Sequence, residues 1–229
     1  MFPFDASCQS LEYFSQEDLA IVSEDVIPGP GPKGHPQGSL QLKGTSDSYI
    51  MIPNFDGGIV DAVTSITMLA FIYPMRNSKL VISYDSDNLG VQFVCEFGES
   101  EKGDLSACFI PRDLAPSENY IRAHALNCNE WNLVGASYNF ETGFASLWHD
   151  GIEVKNAHIG KGLFLATQFN IQISVKESTC SESEFSARIS HLHIYDEALT
   201  LENIQAVGGI AREGRCNTIS FHDSSPRLW

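Results

Sequence analysis

Positive charge is what this sequence has least of: 14 Lys and Arg stand against 29 Asp and Glu in 229 residues, a formal net charge of -15. Such a surface repels phosphate backbones and anionic lipid, which excludes nucleic acid as a partner. Charged residues of both signs amount to only 19%, below the ~25% usual for a soluble protein. With 43% hydrophobic residues the chain can fill a core, so disorder is excluded for most of its length. No apolar run reaches membrane-spanning length, and the opening MFPFDASCQSLEYF lacks the basic start and apolar stretch of a signal peptide. There is no N-x-S/T sequon, and no C-x-x-C pair or Cys/His grouping at zinc spacing. Strand–helix alternation is absent too, which argues against a parallel nucleotide-binding sheet.

The six cysteines, Cys8, Cys95, Cys108, Cys128, Cys180 and Cys216, form an even, scattered set. Three disulfides and an oxidising compartment are the expectation, with buried thiols as the alternative. The turn GESEKGD sets Cys95 and Cys108 at matching distances from its centre, so a cross-strand bridge is one pairing a hairpin there would permit.

Residues 1–37 end in PGPGPKGHPQG, where proline and glycine punctuate too often for regular structure, and predict an irregular arm and loop. From Ser39 the texture changes. SLQLKG and SYIMIP alternate apolar with polar residues as half-buried strands do. SITMLAFIYP is nearly continuous in apolar residues, which predicts a strand in mid-sheet covered on both faces. KLVISY, GVQFVCEF and SACFIP follow, then a meander through WNLVGASYN, FASLWHDG and IEVKNAHIG whose turns carry Gly143 and Asp150-Gly151. ATQFNIQISV and SARISHLHIYDE add two more strands. One helix is signalled, with Thr200 as N-cap, LENIQAV as its body and Gly208 as its stop. The expectation is an all-β fold of two packed antiparallel sheets with one short C-terminal helix: a single domain over residues 38–212, followed by a tail over 213–229.

Four segments carry a family resemblance. SYIMIPNFDGGIVDAVTSITMLAFIYP is similar to a strand, Gly-rich turn and strand ending in a W-V-Y-P-like signature, with Phe71 where tryptophan is more usual. EWNLVGASYNFETGFASLWHDGIEV resembles a Trp-led strand, a T-G turn and a strand closing on D-G. FSARISHLHIYDEALTLENIQAV looks like a closing strand and short helix, and PGPGPKGHPQGSLQLKG like a proline-glycine lead-in. Together they resemble the laminin G-like and pentraxin-like jelly rolls of concanavalin A type, over roughly residues 28–207. That resemblance implies a jelly-roll sandwich; the extracellular or cell-surface setting expected here rests mainly on the cysteines.

Some members of that group hydrolyse glycans, which needs two carboxylates on one strand facing the sugar at a fixed separation. No E-x-D-x-x-E run exists here, and Glu182 with Glu184, or Asp85 with Asp87, fall in loops without an aromatic platform. No enzyme is expected. Calcium is the better-motivated cofactor, since oxygen ligands on adjoining loops can surround it. SYDSDNLGVQF places Asp87 and Asn88 like the pentraxin Asp-Asn ligand pair, and Glu177 sits near the first position of that family's glutamate-rich loop, whose spacing SVKESTCSESEF does not keep. An acidic turn is the alternative reading of Asp87 and Asn88.

Trp148 and Tyr120, read as exposed, are the candidate sugar-stacking residues, with core or edge packing as the alternative for each. His191 and His193 share a strand face opposite Leu192 and Ile194, which predicts that both are solvated. Trp131 reads as core. The function expected is an extracellular recognition module that binds glycan or protein through loops at one end of the sandwich, calcium assisting, without membrane insertion. A structural component of an extracellular or skeletal matrix is the alternative.

Overall fold

A computed structural model describes residues 1–5, 11–12, 17–54, 58–75, 78–84, 90–98, 102–112, 119–177 and 186–213. In chain order its strands are β1 (Leu11–Glu12), β2 (Glu17–Asp18), β3 (Ile21–Val22), β4 (Ile27–Gly29), β5 (Ser39–Lys43), β6 (Tyr49–Ile52), β7 (Ile66–Pro74) and β8 (Ser78–Tyr84). They continue with β9 (Gln92–Glu96), β10 (Lys102–Cys108), β11 (Tyr120–Asn127), β12 (Asn132–Tyr138), β13 (Phe144–His149), β14 (Ile152–His158), β15 (Ile171–Glu177) and β16 (Ser186–Tyr195). Helix α1 spans Leu201–Glu213. One seven-stranded sheet runs β11-β10-β9-β8-β15-β6-β3 and the other β14-β13-β12-β7-β16-β5-β4, with every pairing antiparallel. This is the two-sheet sandwich that the alternation predicts.

Period-two side-chain placement explains β7. Ile66, Met68, Ala70 and Ile72 point between the sheets into the main core, where they join Leu40, Ile82, Phe93, Tyr138 and Ile173. Leu69 and Phe71 point outward instead, and meet Leu133, Trp148, Tyr195, Leu199, Ile204 and Val207. Helix α1 thus lies on the outer face of the second sheet, and β7 is apolar throughout because both its faces are covered. The Thr200 hydroxyl accepts the amide N–H of Asn203 (3.3 Å), a side-chain N-cap. The helix does not stop at Gly208. A Cβ there would come within 2.8 Å of Leu133 Cδ2, so this glycine serves a close approach to the sheet.

Three further expectations are corrected. The described parts of residues 1–37 are no irregular arm: β3 pairs with β6 and β4 with β5, extending both sheets. Phe2 and Phe4 are fully buried, and Phe2 exchanges backbone hydrogen bonds with Leu192. Pro28 fits because β4 is an edge strand, where a missing N–H breaks no inner ladder.

Cys95 and Cys108 are not opposite one another. Cys95 faces Leu105 and Cys108 faces Gln92, because β10 already begins at Lys102 inside the supposed turn. No disulfide joins the cysteines among the described residues, and burial pushes the Cys95 thiol up, keeping it protonated.

The histidines of β16 do not alternate cleanly either. An irregularity between Ser190 and His193, with His191 at φ 51°, interrupts the ladder; Leu192 points into the main core, while His193 lies opposite Leu69 on the outer face of the sheet and is buried there beside Tyr195. His193 is 5% exposed and His191 only partly exposed, so neither is the solvated pair expected.

The meander turns are as expected. His149 faces Ile152 across a two-residue turn in which Asp150 (φ 50°) and Gly151 (φ 77°) both take left-handed conformations, the type I′ geometry that suits hairpin twist.

Candidate functional site

The two sheets end on the same side in β11 and β14, and between those edges lies a groove of 430 Å³. It is lined by Lys102 of β10, Arg122, Ala123, His124, Ala125 and Asn127 of β11, and His149, Val154 and Lys155 of β13 and β14. That volume falls within the range of about 300–1,000 Å³ common for ligand sites. Ala123 and Val154 are half-buried and pack on the main core, so the apolar part of the groove closes the seam between the sheets.

The walls are built from hydrogen-bonding side chains. Alternation along β11 turns Ile121 inward and puts Tyr120, Arg122 and His124 on the opposite, exposed side. Asp104, across the ladder from His124, takes the guanidinium of Arg122 on one oxygen and His124 Nδ1 on the other (3.1 Å). The hydrogen bond from Arg122 holds the Asp104 carboxyl below the usual carboxylate range. One acid thus fixes two of the groove's side chains, Arg122 and His124, in place.

On the facing wall, Asn132 sets His149. The Asn132 side-chain oxygen accepts the Asn127 N–H (2.9 Å), while its amide nitrogen donates to the carbonyls of Asn127 (2.9 Å) and Glu130 (2.8 Å). That network fixes which end is oxygen, so the imidazole Nε2 of His149, 2.8 Å from it, must carry a proton and donate. Asp150 Oδ2 stands 3.5 Å from the same nitrogen. Lys155 has no ion-pair partner among the described residues.

Of the residues singled out in the sequence, Tyr120 is exposed on the strand that forms one wall, outside the lining residues themselves. It is 51% exposed and lies two residues before Arg122 on the same face. Trp148 is not. It is 7% exposed, packed in the cluster beneath α1, and its indole N–H donates to the Ser137 hydroxyl (2.9 Å). A platform for a sugar ring must be open, and this ring is covered. Trp131 is half-buried at the margin of that cluster, edge-on to Tyr73.

Asp87 and Asn88 lie outside the described residues. The backbone of Glu177 closes β15 opposite Ser78. Among the described residues no three His, Cys, Asp or Glu side chains converge as metal ligands. The groove residues Arg122, His124, His149 and Lys155 escape a reading of the sequence. The alternation in YIRAHALN marks one wall, but nothing in the chain says that β14 lies across from it.

Comparison with known proteins agrees with the architecture. No curated protein matches the sequence. Among solved structures, the binding domain of botulinum neurotoxin serotype G superposes with a TM-score of 0.63 at 14% identity, covering 83% of this chain and 46% of that one. The binding domain of botulinum neurotoxin DC, solved in complex with rat synaptotagmin II, gives 0.64 at 14% identity, covering 84% and 46%. Botulinum neurotoxin type C, whose cell entry depends on interaction with two ganglioside molecules, gives 0.63 at 14%, with the same coverage of 84% and 46%. The chain therefore spans less than half the length of these neighbours, and at such identity they speak for the fold. A laminin G-type family profile matches residues 43–205, well over half of the chain. On that match, the chain belongs to the concanavalin A-like lectin/glucanases superfamily.

Proposed function

We propose that this protein is a recognition module that binds carbohydrate, with the sugar chain lying in the groove between β11 and β14. The observation that carries the reading is the groove itself: a concave site where side chains from the edges of both sheets converge, held by Asp104 and Asn132 before any ligand arrives. Guanidinium, imidazole and carboxamide groups match the paired donors and acceptors of sugar hydroxyls. Tyr120 stands at the end of the same row, where an aromatic face can cover a ring. Family membership and the neighbours, one solved with a protein partner and one dependent on gangliosides, support binding as the function class. A location outside the cell belongs to the proposal and rests on the family. Among the described residues no helix is long and apolar enough to cross a membrane.

This site lies on a lateral edge of the sandwich and not among the loops at one end. Calcium at Asp87 and Asn88 remains a proposal resting on sequence similarity, and no step of binding is routed through it. A glycan array probed with the wild-type chain and with Tyr120→Ala, each with calcium and with chelator, tests the reading. Saturable signals that Tyr120→Ala weakens several-fold support it. An array without a signal removes it, and signals indifferent to chelator remove the metal.

A further inference from the structure

We infer that the ligand of the groove is an anionic glycan, its sulfate or carboxylate groups held by Arg122 and Lys155. The inference rests on the carbohydrate reading and narrows it. Its ground is an inversion of charge. The protein carries a formal charge of -15 and only 14 Lys and Arg, yet three of these, Lys102, Arg122 and Lys155, line one groove together with His124 and His149. No Asp or Glu is among the lining residues, and Asp104 behind Arg122 offsets only one of the three charges. In an acidic molecule a groove walled by nitrogen donors focuses field on whatever enters it, and repels cations.

The geometry selects anions further. Asp104 uses its two oxygens on Arg122 and His124 from one side and leaves the remaining N–H groups of the planar guanidinium, which suits sulfate and carboxylate oxygens. His149 spends its Nε2 proton on Asn132 and so takes one fixed orientation. Lys155 comes from the opposite edge, so an anion between the walls meets charge from both sheets.

Length and texture favour a glycan over an acidic peptide. From Arg122 to Asn127 the β11 wall runs about 17 Å, room for several sugar rings in line. The apolar lining is limited to Ala123, Ala125 and Val154, which offers no pocket for the large side chains that anchor peptides.

The test titrates the full chain with four polymers: dextran sulfate, polygalacturonate, neutral dextran and poly-L-glutamate. Each is measured by calorimetry at low and at physiological salt. Lys155→Gln and Arg122→Gln probe the groove, and Lys43→Gln, on β5 away from it, is the control. The expected result is binding of the sulfated or the uronate polymer about tenfold or more tighter than neutral dextran, weakening as salt screens it. Each groove variant should lose about fivefold or more at unchanged melting temperature, and Lys43→Gln nothing. Neutral dextran binding as tightly as the charged sugars overturns the anionic inference and leaves the carbohydrate reading standing. Absence of binding to every sugar polymer, together with a silent array, removes that reading as well. Poly-L-glutamate binding tighter than the sugars overturns the inference in favour of an acidic protein surface, and an equal loss in Lys43→Gln overturns the groove as its place.

Discussion

His193 shows how one side chain can set the acid limit of this fold. It is buried beside Tyr195, whose hydroxyl lies 3.3 Å from Nδ1, and its Nε2 has no hydrogen-bond partner. Burial holds its pKa well below the ordinary 6.5, with the nearby chain amino group and His191 pushing the same way. The sign follows from proton counting. Below about pH 6.5 the unfolded chain takes up a proton that the folded chain refuses, so stability falls with acid by up to about 1.4 kcal/mol per pH unit until the folded pKa is reached. His191, also lowered by burial, adds in the same direction. Urea midpoints between pH 7.5 and about 5 should therefore drop more steeply in the wild type than in His193→Gln. Equal slopes would remove His193 as the cause. The sequence could not reveal this burial, because alternation places His193 correctly on the face opposite Ile194 but does not say that this outer face is covered, by Tyr195, Leu69 and the cluster beneath α1. Trp148 failed for a related reason. Its place on the outward face of β13 was readable, but the helix covering that face comes from more than fifty residues further on.

Elements read more faithfully than residues where pattern and turn chemistry agreed. β7, the meander through β14 and the Thr200 cap were all legible, since each rests on a local rule of period, turn or capping. The end of α1 was not, because Gly208 was read as a stop when its smallness serves contact with Leu133. The Cys95 and Cys108 register was missed because symmetry about a turn leaves the turn's own length open. Helix α1 makes its own prediction. Ile204, fully buried, plugs the outer cluster, and Ile204→Ala should cost about 2–5 kcal/mol while leaving the inter-sheet core intact. Chemical unfolding supplies the number. A loss under half a kcal/mol would mean that the helix rests on the sheet without contributing to its stability.

At the scale of the molecule, the first residues are part of the sandwich. Phe2 and Phe4 stack at 5.8 Å between centroids and are wholly buried, so Phe2→Ala and Phe4→Ala should each cost about 3–5 kcal/mol, as core aromatics do. Denaturant titration of the two variants checks this, and wild-type midpoints would return the segment to the status of a loose arm. Proline and glycine hid its contribution, because β3 and β4 are only two and three residues long and gain their pairing from strands much later in the chain. The groove was illegible for the same reason at larger scale: its walls belong to different sheets.

The edges also have a polarity. β3 and β4 close both sheets on one side, and β11 and β14 open the groove on the other. Two copies held back to back along β3 and β4 would therefore display two grooves facing outward. On a polymer bearing repeated charges, the second engagement would follow the first at a high effective concentration, so that a modest single-site affinity becomes a firm grip.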